Sequence, residues 1–363
     1  MTRKIAIISL YNPDKGSGAE KVTKEIGEKL AEEHEVSFIF TGNHTETVKK
    51  GKITYISIKT PNFLGFNFFF FIFKLKKFLK QYEIDILIDN MGASAWYLLF
   101  HKKKFTLISI IHGATKSLIK YATYIKFNNI IEKTKYYCFL RLNNIASKYV
   151  LKKSDLVITL SKYLLHELIE YYGLNKEKIR VIYNGYDPIL LSSPTDKKHE
   201  GLKVLFISND HARKGIKILE ETAQQLSKKN IVFYIIGNEY NSTQINIKAL
   251  GKLERKTLYE LMGTADVIFL PSYYEGQPLV ILEAMSFGCI PVISQKCHMD
   301  MLEDTIFNKF INQNNDSKTY IAMFNSLVHE ESLTMLHNQA QEVIKKYDRN
   351  TQAQKYLDII NML

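Results

Sequence analysis

Residues 271–294 read PSYYEGQPLVILEAMSFGCIPVIS. The segment opens with turn formers around Gly276 and Pro278, passes through an apolar helical run, and becomes β-branched after Gly288. DVIFL (266–270) comes just before it, so the order is strand, loop, helix, strand, as in a parallel crossover unit. Pro278 suits a first helical turn and Gly288 a helix stop. Two acids stand out: Glu275 in the loop and Glu283 inside the apolar run, with seven residues between them. An unpaired charge in a run built for burial is costly, so the pattern predicts a wet site or a ligand that meets the acids. Carboxylates accept hydrogen bonds from sugar hydroxyls. The N–H groups of Leu279 and Val280 at the helix start, with Gly276 and Gln277 just before them, suit a phosphate or sugar oxygen.

The same alternation runs outward in both directions. In the N-terminal half KIAIISL (4–10), EVSFIF (35–40), ITYISI (53–58), DILIDN (85–90), FTLISIIHG (105–113), DLVITLS (155–161) and IRVIYNG (179–185) read as strands. They are apolar on both faces, as buried parallel strands are. Helical patterns separate them over 19–33, 68–82, 128–153 and 162–172. The C-terminal half repeats the scheme with KVLFIS (203–208), IVFYIIG (231–237), DVIFLPS (266–272) and IPVIS (290–294), and with helices near 214–228, 254–263 and 278–287. Two sets of strand–helix units predict an α/β protein of two doubly wound domains, 1–189 and 190–346, joined by LLSSPTDKKHEG (190–201). A chain of 363 residues is also too long for one comfortable core. Open parallel sheets bind ligands beyond the carboxyl ends of their strands, so the expected site is a cleft between the two domains.

Composition bounds the class. With 46% apolar and 24% charged residues the chain reads as globular. Cys138, Cys289 and Cys297 form no paired spacing and no metal motif, which predicts a reducing, cytoplasmic setting. The apolar run Ile5–Leu10 is shorter than a signal peptide needs. FLGFNFFFFIFKLKKFLK (63–80) is interrupted at Asn67 and Lys74, short of the ~20 residues that span a bilayer. The net charge of +12 is lopsided: residues 1–190 hold 30 Lys/Arg against 17 Asp/Glu, and residues 191–363 hold 19 against 20. A basic half suggests an anionic partner there, whether membrane headgroups, a phosphorylated lipid or polymer, or nucleic acid. General use of lysine as a surface residue accounts for the same excess.

Three further constellations carry chemistry. FISNDHARKG (206–215) places Arg213 and Lys214, with Asn209 earlier in the turn, between a strand and a helix, where an Arg-Lys pair reads as more than a solvated surface pair. In KGSGAEKV (15–22), Gly16 and Gly18 flank Ser17 before a helix and let backbone approach a phosphate or sugar. Glu20 there reads as a first-turn acid complementing the helix dipole. His112 ends a strand. Asp85 and Asp89 bracket a buried strand and read as structural, and Cys297–His298 lacks a second ligand pair.

Taken in order, these blocks resemble the retaining GT-B glycosyltransferases of glycosyltransferase family 4, over roughly residues 4–295. LPSYYEGQPLVILEAMSFGCIPVIS resembles the family's E-x7-E signature, ITLSKYLLHEL (158–168) its strand–Ser–helix block, VIYNGYD (181–187) its hinge and LMGTADVIFLPS (261–272) the approach to its glutamate loop. The resemblance implies two Rossmann-like lobes, with the final helix, about 347–363, crossing back to the first. It implies that Glu275 touches the donor sugar near the reacting carbon, that Glu283 binds the ribose and that Lys214 lies on the diphosphate. Ser208 and Asn209 stand where the family often has Gly-Arg, and Arg213 then supplies the guanidinium. His112 aligns with the family's histidine facing the donor sugar. The implied reaction moves a hexose-type sugar, with retention, from a nucleoside-diphosphate sugar (UDP favoured over GDP) to a hydroxyl. No cofactor is implied, and the absence of a D-x-D motif implies metal independence. Base contacts are expected from IIGNEY (235–240) and ALGKL (249–253).

On the acceptor side, NFFFFIFKLKKFLKQY (67–82) sets Phe68, Phe71, Ile72, Leu75, Leu79 and Tyr82 on one helical face. Phe70, Phe73, Lys74, Lys77 and Lys80 fall along a flank suited to an anionic membrane surface. A helix packed on the sheet with its lysines in water fits most of these residues too. Lys102–Lys104 and the Lys- and Tyr-dense segment 116–153 add to the same half. The expectation is a lipid-linked or cell-envelope glycan acceptor met at the inner face of the membrane. Rival readings are a GT-B epimerase acting on the sugar nucleotide itself, and a basic nucleic-acid-binding protein.

Overall fold

Parallel strands buried on both faces organise each half of the chain. The computed structural model describes residues 2–9, 11–14, 18–60, 71, 74–76, 79, 83–90, 92, 94–121, 129–188, 200–329 and 333–363. The chain divides into two units, one of Met1–Ile119, Asn128–Asn184 and Asn350–Leu363, the other of Lys120–Phe127 and Gly185–Arg349.

The first unit carries β1 (Lys4–Ile8), α1 (Gly18–Leu30), β2 (Glu35–Gly42), β3 (Glu46–Lys50), β4 (Ile53–Lys59), β5 (Ile86–Asn90), α2 (Ala95–Phe100), β6 (Thr106–Ile111), α3 (Thr115–Tyr121), α4 (Ile130–Lys153), β7 (Leu156–Thr159), α5 (Lys162–Tyr172) and β8 (Ile179–Val181). Its eight-stranded sheet runs β3-β4-β2-β1-β5-β6-β7-β8. Every pairing is parallel except β3 with β4, which is antiparallel. β3 was not expected from the sequence, because ETVKK is exposed at every position and offers no apolar alternation. The order reverses beside β1, where the chain leaves for β2 on one side and returns to β5 on the other. Within residues 68–82, the described Phe71, Leu75 and Leu79 are buried against Ile8, Leu87 and Leu98, while Lys74 is exposed. Lys77 and Lys80 lie outside the described residues.

The second unit carries β9 (Leu202–Ser208), α6 (Ile216–Gln225), β10 (Ile231–Gly237), β11 (Ile247–Gly251), α7 (Arg255–Thr264), β12 (Val267–Leu270), α8 (Leu279–Ser286), β13 (Ile290–Ser294), β14 (Ile311–Asn312), α9 (Ser317–Val328) and α10 (Leu333–Ile344). Its six strands are all parallel, in the order β11-β10-β9-β12-β13-β14. Here the order reverses between β9 and β12. Phe233, Phe269, Phe324 and Tyr320 pack edge-on beneath this sheet, with ring centres 4.8 to 5.5 Å apart for Tyr320–Phe269, Phe269–Phe324 and Phe233–Phe324. Pro278 caps α8 from outside, so the helix starts one residue later than the sequence indicated, and Gly288 follows it in the left-handed region at φ +78°.

The final helix, α11 (Arg349–Met362), brings the chain back to the first unit, where Ala353, Tyr356, Leu357 and Ile360 are buried. The two passages of chain between the units run side by side. Tyr186 N–H donates to Tyr347 O, Arg349 N–H donates to Tyr186 O, and a Cβ on Gly185 would stand 2.5 Å from the backbone of Asp348 and Arg349. Only glycine permits that approach.

α4 has an unusual distribution of apolar residues. Its buried side chains are Leu140, Ser147, Val150 and Leu151. At 100° per residue, Ile131, Cys138, Leu142 and Ile145 fall on the opposite side of the helix. All four are exposed, Ile131 at 62%, Leu142 at 59% and Ile145 at 66%. Exposed Lys135, Arg141, Lys148 and Lys152 flank that stripe.

Candidate active site

In a parallel sheet a crevice opens where strand order reverses, because the loops on either side leave in opposite directions. In the second unit those loops are the turn after β9, residues 209–215, and the loop after β12, residues 271–278. They are fastened together. Gly215, at φ +86°, comes so close to the second loop that a Cβ would lie 2.0 Å from Pro271 O. Tyr273 N–H donates to Arg213 O (2.9 Å), and Arg213 Nη1 donates to Tyr274 O (2.9 Å).

Three charged side chains meet at this junction. Arg213 Nη1 lies 2.8 Å and Lys214 Nζ 3.6 Å from Glu275 Oε1. Ser272 Oγ approaches the same oxygen at 3.5 Å, and Glu275 N–H donates to Lys296 O at 2.8 Å. The Glu275 side chain is only 11% exposed. Burial works to raise its carboxyl, but Lys214 and Arg213 outweigh it and hold the group below the usual carboxylate range. On its far side Arg213 is held by Asp210: Nε donates to Oδ2 at 3.0 Å and the backbone N–H to Oδ1 at 3.2 Å. Asp210 was not anticipated as part of the site, although an Asp three residues ahead of the turn's arginine is a turn-forming signal.

Beneath Glu275, burial and the Glu275 charge push the Cys297 thiol up to about 12. His298, edge-on to Tyr274 at 5.2 Å, is pushed down to about 4, first by burial and then by Lys296. Gln277 is buried, with Nε2 3.1 Å from Met301 Sδ, while Gly276, Leu279 and Val280 are half-buried. No side chain caps the start of α8, which leaves its first N–H groups to solvent or a ligand. Glu283 is half-buried in α8, within electrostatic reach of Arg255 and Tyr259 on α7. Burial first, and Glu283 next, raise the Tyr259 phenol. Asn209 is exposed, its carbonyl accepting from Asn238 Nδ2 at 2.6 Å.

The first unit has a polar cluster at its own reversal point. Ser9 follows β1, Asn90 ends β5 and His112 follows β6. Asn90 Nδ2 donates to Ser9 Oγ (3.4 Å), which leaves Oδ1 to accept from His112 Nε2 at 3.0 Å. Burial pushes the imidazole down to about 4, so the ring is neutral at neutral pH with its proton on Nε2. Ser9 and Asn90 were missed because a lone Ser or Asn at a strand end carries no pattern. Gly18 is the exposed first residue of α1; Gly16 and Ser17 lie outside the described residues. Asp89 accepts from Ser94 N–H and Oγ–H, and Asp85 from Lys4 N–H, as structural acids do. Among the described residues no group of three His, Cys, Asp or Glu is arranged to hold a metal.

Comparison with known proteins follows the same division. Residues 16–189 match the family model described as Glycosyltransferase Family 4, and residues 191–350 that described as Glycosyl transferases group 1. Over 344 residues the chain is 26% identical to an uncharacterized glycosyltransferase of Haemophilus influenzae, covering 89% of this chain and 90% of that protein. Over 168 residues it is 29% identical to UDP-Gal:alpha-D-GlcNAc-diphosphoundecaprenol alpha-1,3-galactosyltransferase of Escherichia coli, covering 40% of this chain and 43% of that protein. Other curated relatives are matched over 57% of their own length or less. Among solved structures, sucrose-phosphate synthase from Thermosynechococcus elongatus matches with a TM-score of 0.81 at 16% identity, over 99% of this chain and 98% of that one. Two Rossmann-like domains with parallel sheets, matched end to end in this way, define the GT-B fold. The chain belongs to the family 4 type of GT-B glycosyltransferases.

Proposed function

We propose that this chain transfers a hexose-type sugar, with retention of configuration, from a nucleoside-diphosphate sugar to a hydroxyl of a lipid-linked or cell-envelope glycan. The observation that carries the reading is the ion cluster at the reversal point of the second unit: Glu275 is kept charged, and Lys214 stands beside it at the end of the turn that leads into α6. Lys214 and the uncapped start of α8 supply positive potential for the donor diphosphate, which makes a divalent ion unnecessary. The bond from the sugar's anomeric carbon to the diphosphate oxygen breaks and one to the acceptor oxygen forms on the same face. The leaving phosphate takes the acceptor proton, and the Glu275 carboxylate stabilises the oxocarbenium-like state. Glu283 binds the ribose, and the family resemblance assigns His112, a neutral donor or acceptor, to the donor sugar. A UDP-sugar is favoured over a GDP-sugar, in keeping with the UDP-Gal in the name of the Escherichia coli relative.

That relative's name also carries a diphosphoundecaprenol acceptor. An acceptor of this kind lies in a membrane, and the outer stripe of α4 suits an anionic lipid surface, with exposed Ile131, Leu142 and Ile145 between Arg141 and Lys148 on one side and Lys135 on the other. Among the described residues no helix is long and apolar enough to cross a membrane. Lys74 is exposed, its Nζ donating to Lys59 O at 2.8 Å, and adds to the same basic half.

A panel of UDP- and GDP-sugars, followed for hydrolysis and thermal stabilisation with and without EDTA, tests the reaction. One UDP-sugar is expected to stabilise the protein and to release a sugar of unchanged anomeric configuration, insensitive to EDTA. Interconversion of the sugar on the intact nucleotide would establish the epimerase reading instead. Flotation with vesicles tests the surface: binding to phosphatidylglycerol vesicles at low salt is expected, and its loss in Leu142→Glu/Ile145→Glu with unchanged melting temperature. Equal flotation of the variant would remove α4 from the reading.

A further inference from the structure

One side chain fastens the loop after β12 to the turn after β9. Arg213 makes contact with three consecutive residues of that loop: its carbonyl accepts from Tyr273 N–H, and its Nη1 reaches both Tyr274 O and Glu275 Oε1. Its Nε is taken by Asp210, whose second oxygen holds the Arg213 backbone N–H. A guanidinium bound at Nε and doubly at Nη1 cannot swing toward a ligand without breaking these contacts. Among the described residues, every contact to the Glu275 carboxylate falls on one oxygen, from Arg213 at 2.8 Å, Ser272 at 3.5 Å and Lys214 at 3.6 Å, and all on Oε1. Oε2 has no partner among the described residues and is not among the buried unsatisfied atoms.

We propose that Arg213 is a positioning residue rather than a ligand of the diphosphate: braced by Asp210, it fixes Glu275 Oε1 and leaves Oε2 as the oxygen that faces the donor sugar. The proposal rests on the transferase reading and adds to it a role for Asp210 and a division of labour between the two cations. Lys214, attached to Glu275 by a single longer contact, is the cation left to meet the phosphates. The charged and titratable groups around Glu275 are Arg213, Lys214 and Asp210 on the turn after β9, and Lys296, Cys297 and His298 after β13. Cys297 stays a thiol and His298 a neutral ring at neutral pH, so the two cations set the charge state of the carboxylate.

The test is Asp210→Asn, which keeps the side chain's size at a position half exposed to solvent, compared with Arg213→Ala. Turnover in Asp210→Asn is expected to fall roughly 10- to 100-fold, as for a misplaced catalytic group, with UDP affinity by calorimetry unchanged. The Glu275 carboxyl, followed by carbon-13 NMR and assigned by its absence in Glu275→Ala, is expected to titrate at higher pH in both variants. Loss of Asp210's own negative charge acts in the opposite direction, so an upward shift in Asp210→Asn reports a displaced guanidinium. Weakened UDP binding with turnover retained would make Arg213 a phosphate ligand and overturn the proposal, as would an unmoved titration in both variants. Should the wild-type protein transfer no sugar from any donor, the transferase reading falls, and the titration still decides whether Arg213 and Asp210 fix the carboxylate.

Discussion

Glu275 answers the question its surroundings raise. A carboxylate only 11% exposed stays charged because Arg213 and Lys214 sit within 4 Å of it, and an oxygen left unpartnered among the described residues makes it useful. Glu275→Ala is expected to lower turnover by about 10²–10³-fold, the range for removing one electrostatic stabiliser, while nucleotide affinity is kept; Glu283→Ala should do the reverse. Two buried histidines, His298 beside Glu275 and His112 in the first unit, make acid stability a second measure of burial. His112 and His298 titrate at about 4 in the folded chain, against an ordinary 6.5, so the unfolded state binds more protons between those values. Stability is therefore full above pH 6.5 and falls as pH drops toward 4. Melting temperatures measured across that window should decline, and His298→Gln should flatten the slope; an unchanged slope would contradict the burial assigned to this ring.

At the scale of elements, the glycine of the cationic turn matters as much as its charges. Gly215→Ala puts a side chain at φ +86° and 2.0 Å from Pro271 O, so the loop bearing Glu275 has to move. A loss of more than about 1 kcal/mol in stability is expected from denaturant melts, together with reduced turnover. This is also where the sequence was most and least informative. Strands β9, β12 and β13 were legible because burial on both faces demands continuous Ile and Val, and α8 because Pro278 and Gly288 bound it. Strands β3, β11 and β14 were not: ETVKK is wholly exposed, β11 keeps one buried residue and β14 has two residues in all. The span of α4 was readable from its helical pattern to within two residues at its start, yet the side it buries was not. Its apolar residues lie all round the helix, and only the fold decides that Leu140 is covered and Leu142 is bare. Asp210 was overlooked for a related reason. A lone turn aspartate becomes meaningful only when the arginine it holds is seen reaching the other loop.

At the scale of the whole molecule, the chain completes its first unit with its last helix. Tyr356, Leu357 and Ile360 are each at most 2% exposed, and Asn361 meets His34 at 3.1 Å and Glu33 at 3.0 Å. Removal of residues 350–363 should therefore destabilise the first unit by more than the ~3 kcal/mol typical of one large core side chain, visible as a lost or lowered thermal transition. A truncated protein that melts like the full chain would contradict that packing. The excess of positive charge in residues 1–190, against the near-neutral balance beyond it, is the charge distribution that the proposed anionic acceptor of the N-terminal half calls for. The most direct measurement of the central claim is a crystal structure with an unreactive UDP-sugar bound. The expected result has the diphosphate on Lys214 and the start of α8, the ribose on Glu283, and Glu275 turning Oε2 to the sugar while Oε1 stays on Arg213. A nucleotide bound away from the loops after β9 and β12, or a Glu275 that faces no part of the sugar, would contradict it.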